Sequence, residues 1–102
     1  MKTSKLFFEC EKCGQPFDIV INSGDFKKIA KGKNDVHQEY IFEFKREFYC
    51  CGKSIEIKIN ILQHDSKASD KRKIIHETYH RGLRNFRTDD NFKAVIKEVC
   101  YN

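Results

Sequence analysis

The sequence predicts an α+β fold: a small antiparallel sheet within residues 1–63, followed by a basic segment, 64–102, that carries two helices. Three observations predict it. From Ser54 to Gln63 apolar and polar residues alternate, with Ile55, Ile57, Ile59 and Ile61 on one face and Glu56, Lys58 and Asn60 on the other, the pattern of a half-buried strand. The run from Tyr40 to Phe48 places Tyr40, Phe42, Phe44 and Phe48 on one side, interrupted by Arg46. Phe92, Val95, Ile96 and Val99 follow the i, i+3, i+4, i+7 spacing of a helix with one apolar face.

Taken along the chain, Lys5 to Phe8 reads as a short first strand and Phe17 to Ile21 as a second. Residues 22–38, rich in Gly, Lys and Asn (Gly24, Lys27, Lys28, Lys31, Gly32, Lys33, Asn34), read as a long polar loop. The two strands from Tyr40 and from Ser54 then pair antiparallel. After His64 the character turns polar and basic. Ser69 and Asp70 are placed to cap a helix from Lys71 to Arg81, which Gly82 stops, and a last helix spans Asp89 to Val99.

With 102 residues, 39% apolar and 34% charged, the chain has the size of one small domain. No apolar run approaches the roughly 20 residues of a spanning helix, and Met1 to Lys5 leads into the first cysteines without the apolar stretch of a signal peptide. A cytoplasmic protein without membrane contact is therefore expected. A net charge of +5 and an isoelectric point near 9.0 favour an anionic partner.

The five cysteines carry the clearest chemistry. Cys10-Glu11-Lys12-Cys13-Gly14 is a knuckle: two thiolates two residues apart turn toward one metal, and the glycine permits the tight backbone after the second. The knuckle is part of a degenerate repeat. Cys13-Gly14-Gln15-Pro16-Phe17-Asp18-Ile19 is echoed by Cys51-Gly52-Lys53-Ser54-Ile55-Glu56-Ile57, and Phe8-Glu9-Cys10 by Phe48-Tyr49-Cys50. Each unit is a knuckle leading into a strand. In this pattern, over residues 6–62, the chain resembles small bacterial zinc-ribbon proteins. The resemblance implies one structural Zn2+ as the only cofactor, held by Cys10, Cys13, Cys50 and Cys51.

The second knuckle departs from the family form, because Cys50 and Cys51 are adjacent. Neighbours in extended backbone project to opposite sides, so both sulfurs reach one ion, at about 2.3 Å, only through a sharp turn, which Gly52 permits. Without that turn Cys51 is the third ligand by the repeat, and His37, His64 or Cys100 supplies the fourth. Otherwise Cys100 reads as a small apolar residue. The plainer alternative is a set of reduced, buried cysteines. A redox CxxC pair has less support, since Pro16 and a strand follow where a helix is expected.

His76-Glu77-Thr78-Tyr79-His80 spells HExxH. On a helix the two imidazoles share one face and bind zinc while the glutamate activates a water. Glu98, on the following helix, resembles the third ligand of the gluzincin arrangement. The alternative second metal site is thus His76, His80 and Glu98, with Glu77 as general base of a metallopeptidase. Against it stand the charged flanks, Lys71 to Lys73 and Arg81, which read as surface, and a chain half committed to the ribbon. The plainer reading is an exposed helix with solvated histidines.

Residues 64–88 hold Lys67, Lys71, Arg72, Lys73, Arg81, Arg84 and Arg87 against Asp65, Asp70 and Glu77, four of the five net positive charges. Guanidinium groups fork onto phosphate oxygens, and an interleaved Phe86 or Tyr79 stacks on an unpaired base. Arg72, Lys73, Arg81, Arg84 and Arg87 are the residues expected to contact nucleic acid, RNA or DNA. The function expected is a non-enzymatic zinc-ribbon module that binds nucleic acid. A protein-interaction subunit presenting the Tyr40, Phe42 and Phe44 face to a partner is the second reading, and the HExxH peptidase the third.

Overall fold

The computed structural model describes residues 2–33, 37–66 and 71–101. Seven strands and one helix follow in order: β1 (Thr3–Cys10), β2 (Pro16–Asn22), a short 3-10 turn (Ser23–Asp25), β3 (Lys27–Lys33), β4 (His37–Cys50), β5 (Lys53–Ser66), β6 (Lys71–Arg81), β7 (Leu83–Thr88) and α1 (Phe92–Tyr101). The strands form two antiparallel sheets, β2-β1-β7 and β3-β4-β5-β6.

Alternation dictates which face each strand buries. Ile57, Ile59 and Ile61 of β5 are fully buried, and register sets Phe44 of β4 opposite Ile59 and Phe48 opposite Ile55. Leu6, Phe8 and Cys10 of β1, Leu83 of β7, and Phe92, Val95, Ile96 and Val99 of α1 complete one continuous core. Rings fill the space between the sheets: Phe8 of β1 tilts against Phe48 of β4 at 5.8 Å, joining the two sheets, while Phe8 also stacks on its register partner Phe17 at 5.4 Å and Phe26 meets Phe44 at 5.7 Å. Truncating a side chain such as Ile57 to alanine therefore costs about 2–5 kcal/mol.

The helix expected from Lys71 to Arg81 is strand β6, so the fold is mostly β with one helix and not α+β with two C-terminal helices. The physical reason is twofold. Ile74, Ile75, Thr78 and Tyr79 are β-branched or aromatic and fit a pleated surface. The fourteen-residue β5 would otherwise leave its second edge unpaired, and β6 pairs with it from Glu56↔Arg81 to Ser66↔Lys71. The expected cap at Ser69 and Asp70 lies outside the described residues. Gly82 does end the element, but as a left-handed corner (φ 79°) leading into β7.

The last helix is present and starts three residues later than expected. Asp89 precedes it as a fastener, accepting from the Asn91 N–H (3.0 Å), the Ser4 hydroxyl (2.6 Å) and the Lys5 N–H (2.9 Å). The start of α1 is thereby tied to β1, and these donors hold the Asp89 carboxyl below its ordinary pKa, the Ser4 hydroxyl foremost.

Part of the expected polar loop is strand β3, paired with β4 from Lys27↔Glu43 to Lys33↔Gln38; residues 34–36 of that loop lie outside the described residues. Lysine suits an edge strand, where charge discourages further pairing. Because β4 and β5 run fourteen residues each, the molecule is elongated, 51 × 23 × 19 Å. Its radius of gyration is 15.6 Å, against about 13 Å for a compact chain of this length. Among the described residues no helix is long and apolar enough to cross a membrane.

Candidate metal centre

The two knuckles meet at one end of the molecule, and each is shaped by a left-handed residue. In the first, Cys10 closes β1, its N–H donates to the Gln15 carbonyl (2.9 Å), and the Gly14 N–H donates back to the Cys10 carbonyl (2.8 Å). Gly14 sits at φ 76°. In the second, Cys50 pairs with Lys53, so that β4 and β5 are joined by Cys51 and Gly52 alone. Both joining residues have positive φ, 57° and 73°, the two-residue turn whose twist matches that of the flanking strands. This is the sharp turn that adjacent cysteines require.

The four sulfurs converge. Cys13 and Cys50 are 3.6 Å apart, Cys50 and Cys51 3.8 Å, and all four lie within 4.8 Å of one another. Four sulfurs around an ion at about 2.3 Å define a tetrahedron with edges of about 3.8 Å, so the cluster has the dimensions of a metal site. Cys10 is buried and Cys50 half-buried, while Cys13 and Cys51 are exposed.

Electrostatics points the same way. The N–H groups of Cys13 and Lys12 aim at the Cys10 sulfur and bring its thiol down to about 7, despite burial. Cys50, hydrogen-bonded to Cys13 and partly desolvated, is pushed up to about 12, and Cys51 is raised as well, through Cys13 first. One thiolate is welcome in the cluster and the next is opposed by it. A bound cation removes that opposition.

The end is braced from β6 and β7. The Glu11 N–H donates to the Gly82 carbonyl (3.2 Å). Glu9 accepts from Asn85 (2.8 Å) and Arg84 (3.1 Å), which lower its carboxyl pKa in that order. The sequence pattern reads Gly82 only as the end of an element, not as a brace of this site, and gives Asn85 no role; the positive φ of Asn85, 55°, marks a bulge that only register reveals.

The other predicted ligands lie elsewhere. His37 opens β4, thirteen residues from Cys50 and so about 40 Å away along the strand. His64 is paired with Glu39 at 3.1 Å, and Cys100 is buried in the core against α1's neighbours. Among the described residues, the four cysteines are the one group of three or more potential ligands at metal-binding distance.

HExxH falls on β6, where i and i+4 are about 13 Å apart and the residue between takes the opposite face. Register sets His76 beside Ile61 and His80 beside Ile57 on the core side, while Glu77 pairs with Asn60 on the other side. His76 meets Phe92 edge-on at 5.4 Å, His80 stacks on Phe86 at 5.6 Å, and Glu77 accepts the Tyr79 hydroxyl. Glu98 accepts from the Lys2 N–H (2.9 Å) and the Ser23 hydroxyl (2.6 Å). The structure thus does not bring His76, His80 and Glu98 together, nor aim Glu77 between the imidazoles.

Of the expected phosphate contacts, Arg72, Lys73 and Arg81 lie on β6, and Arg84 and Arg87 on β7. Arg81 pairs with Glu56 (3.4 Å), Arg84 with Glu9 (3.1 Å), and Arg87 lies over the Phe7 ring at 5.7 Å. The Tyr40, Phe42 and Phe44 face turns inward, with Phe44 buried. The chain matches no family model, no curated protein and no solved structure, so its likeness to zinc ribbons rests on the knuckles themselves.

Proposed function

We propose that the chain is a non-enzymatic module in which one structural zinc ion, held by Cys10, Cys13, Cys50 and Cys51, fixes the end of a two-sheet fold whose β6–β7 edge binds nucleic acid. For the ion, the supporting observation is the four sulfurs within 4.8 Å, a soft all-thiolate set that suits zinc. A reducing, cytoplasmic setting keeps those thiols available.

For the partner, the observation that carries the reading is where the charge falls. β6 and β7 are edge strands of their sheets and adjoin at Gly82. Residues 71–88 hold Lys71, Arg72, Lys73, Arg81, Arg84 and Arg87 against Glu77 alone, a net charge equal to the whole chain's +5. Two basic clusters, 71–73 at one end of β6 and 81–87 around the Gly82 corner, are the kind of electrostatic footprint that a phosphate backbone recruits.

The test is binding of a labelled oligonucleotide across a salt series. Replacing Arg72, Arg81 and Arg87 by alanine weakens binding and flattens the salt slope while zinc content stays unchanged. Unchanged affinity and slope contradict the reading. A protein partner is favoured by one observation only: Ile41, Leu62 and Ile75 lie directly cross-strand on the outer face, with Leu62 and Ile75 exposed.

A further inference from the structure

From Gly82 onward β6 and β7 belong to different sheets, and neither hydrogen-bonds the other. The space between β6 on one side and β7 with the start of α1 on the other is a cavity of about 600 Å³, within the range of small-ligand sites. Its walls hold three rings, those of His76, Phe86 and Phe92. Two of them, His76 and Phe92, meet edge-on, and the third, Phe86, is backed by the His80 ring outside the cavity; Thr78 lies between the two histidines on the same face of β6.

We propose that this groove is a binding subsite for an unpaired nucleobase, which enters opposite Thr78 and stacks on the ring walls. The proposal rests on the nucleic-acid reading and specifies it as single-stranded. Aromatic platforms beside a basic track are what sequence-tolerant single-strand binding requires, since every base offers a π-face. Arg87 and Lys93 border the cavity; the Arg87 guanidinium lies over the Phe7 ring, which leaves Lys93 as the charge at the rim for a phosphate flanking the stacked base. Of the two acids there, Asp89 is turned to Ser4, Lys5 and Asn91. Asp90 offers an acceptor for an exocyclic amino group of the kind adenine and cytosine carry. A base-paired duplex keeps its bases stacked and inaccessible, so it contacts the charges without entering the groove. Of the HExxH histidines, His76 thereby serves as a wall and His80 backs the Phe86 ring.

The experiment is fluorescence anisotropy on the zinc-loaded full chain, with a labelled twelve-nucleotide oligoadenylate and with the duplex it forms with its complement. The single strand is expected to bind at least about tenfold tighter than the duplex. Phe86→Ala removes that preference and leaves duplex binding unchanged. Because Phe86 also touches the core, Thr78→Phe, which fills the groove from an edge strand, is measured in parallel and abolishes the same preference. Equal affinity for the two probes, or a preference that survives both substitutions, overturns the subsite while leaving the basic edge in place. Binding of neither probe overturns the nucleic-acid reading itself.

Discussion

Gly82 lies so close to Ser54 that a β-carbon built on it would stand 2.7 Å from the Ser54 carbonyl oxygen. Its φ of 79° is left-handed, so the corner that turns β6 into β7 needs glycine for two separate reasons. The Gly52 turn beside the cysteines needs it for only one: φ is 73°, but nothing lies within 4 Å of an added β-carbon.

The two positions should therefore separate in a denaturant titration. Gly52→Ala is expected to cost the left-handed backbone penalty alone, about 1–2 kcal/mol. Gly82→Ala costs clearly more, because the opposing atom is backbone and cannot swing aside. Equal losses would contradict the close approach of the β6–β7 corner to β5.

Asp89 gives the fold an acid-sensitive fastener. Its pKa is lowered by the Ser4 hydroxyl, then by the Lys5 N–H. A carboxyl depressed in the folded state contributes stability that is present above its unfolded value, about 3.9, and is lost as pH falls through the lower folded value. The melting temperature of Asp89→Asn is expected to lie below that of the unaltered chain at pH 7, with the gap closing below about pH 4. Taking the difference at each pH cancels metal loss, which both proteins share. A gap constant across that range contradicts the assignment.

His76 and His80 are expected to be irrelevant to metal content. In a strand their rings stand about 13 Å apart, each against a phenylalanine. The His76→Ala/His80→Ala double variant should carry as much metal as the unaltered chain, measured by elemental mass spectrometry, and Glu77→Gln should change nothing there either. A loss of one ion per chain in the double variant would restore the second metal site.

Much of this architecture is legible before any coordinates. Alternation, broken in β4 at Arg46, announces β4 and β5, because each turns one face to the core: Phe44 in β4 and Ile55, Ile57, Ile59 and Ile61 in β5 are buried. The spacing of Phe92, Val95, Ile96 and Val99 announced α1, since all four are buried. The misreadings have physical causes. In β6 the core face reads Ile74, His76, Thr78, His80, and the outer face Ile75, Glu77, Tyr79; at an edge the two faces barely differ in polarity, and no alternation survives. β3 is hidden by its lysines, which suit an edge. The arginines of β7 recur every three residues as on a helix, yet Arg84 and Arg87 face Glu9 and Phe7 on one side of a strand, because a bulge at Asn85 inserts the extra residue. The cysteine cluster is nearly all in the sequence; what the repeat leaves open is whether the chain turns sharply at Cys51, and left-handed Cys51 and Gly52 make that turn.

The most direct test is zinc per chain, by elemental mass spectrometry on protein purified without added metal, for the unaltered chain, Cys51→Ser and Cys100→Ser. One zinc in the unaltered chain and in Cys100→Ser, with a sharp fall in Cys51→Ser, is the result expected of a four-cysteine centre closed by the Cys51 turn. An unaltered chain without zinc, or a Cys51→Ser variant that keeps its full complement, would contradict it.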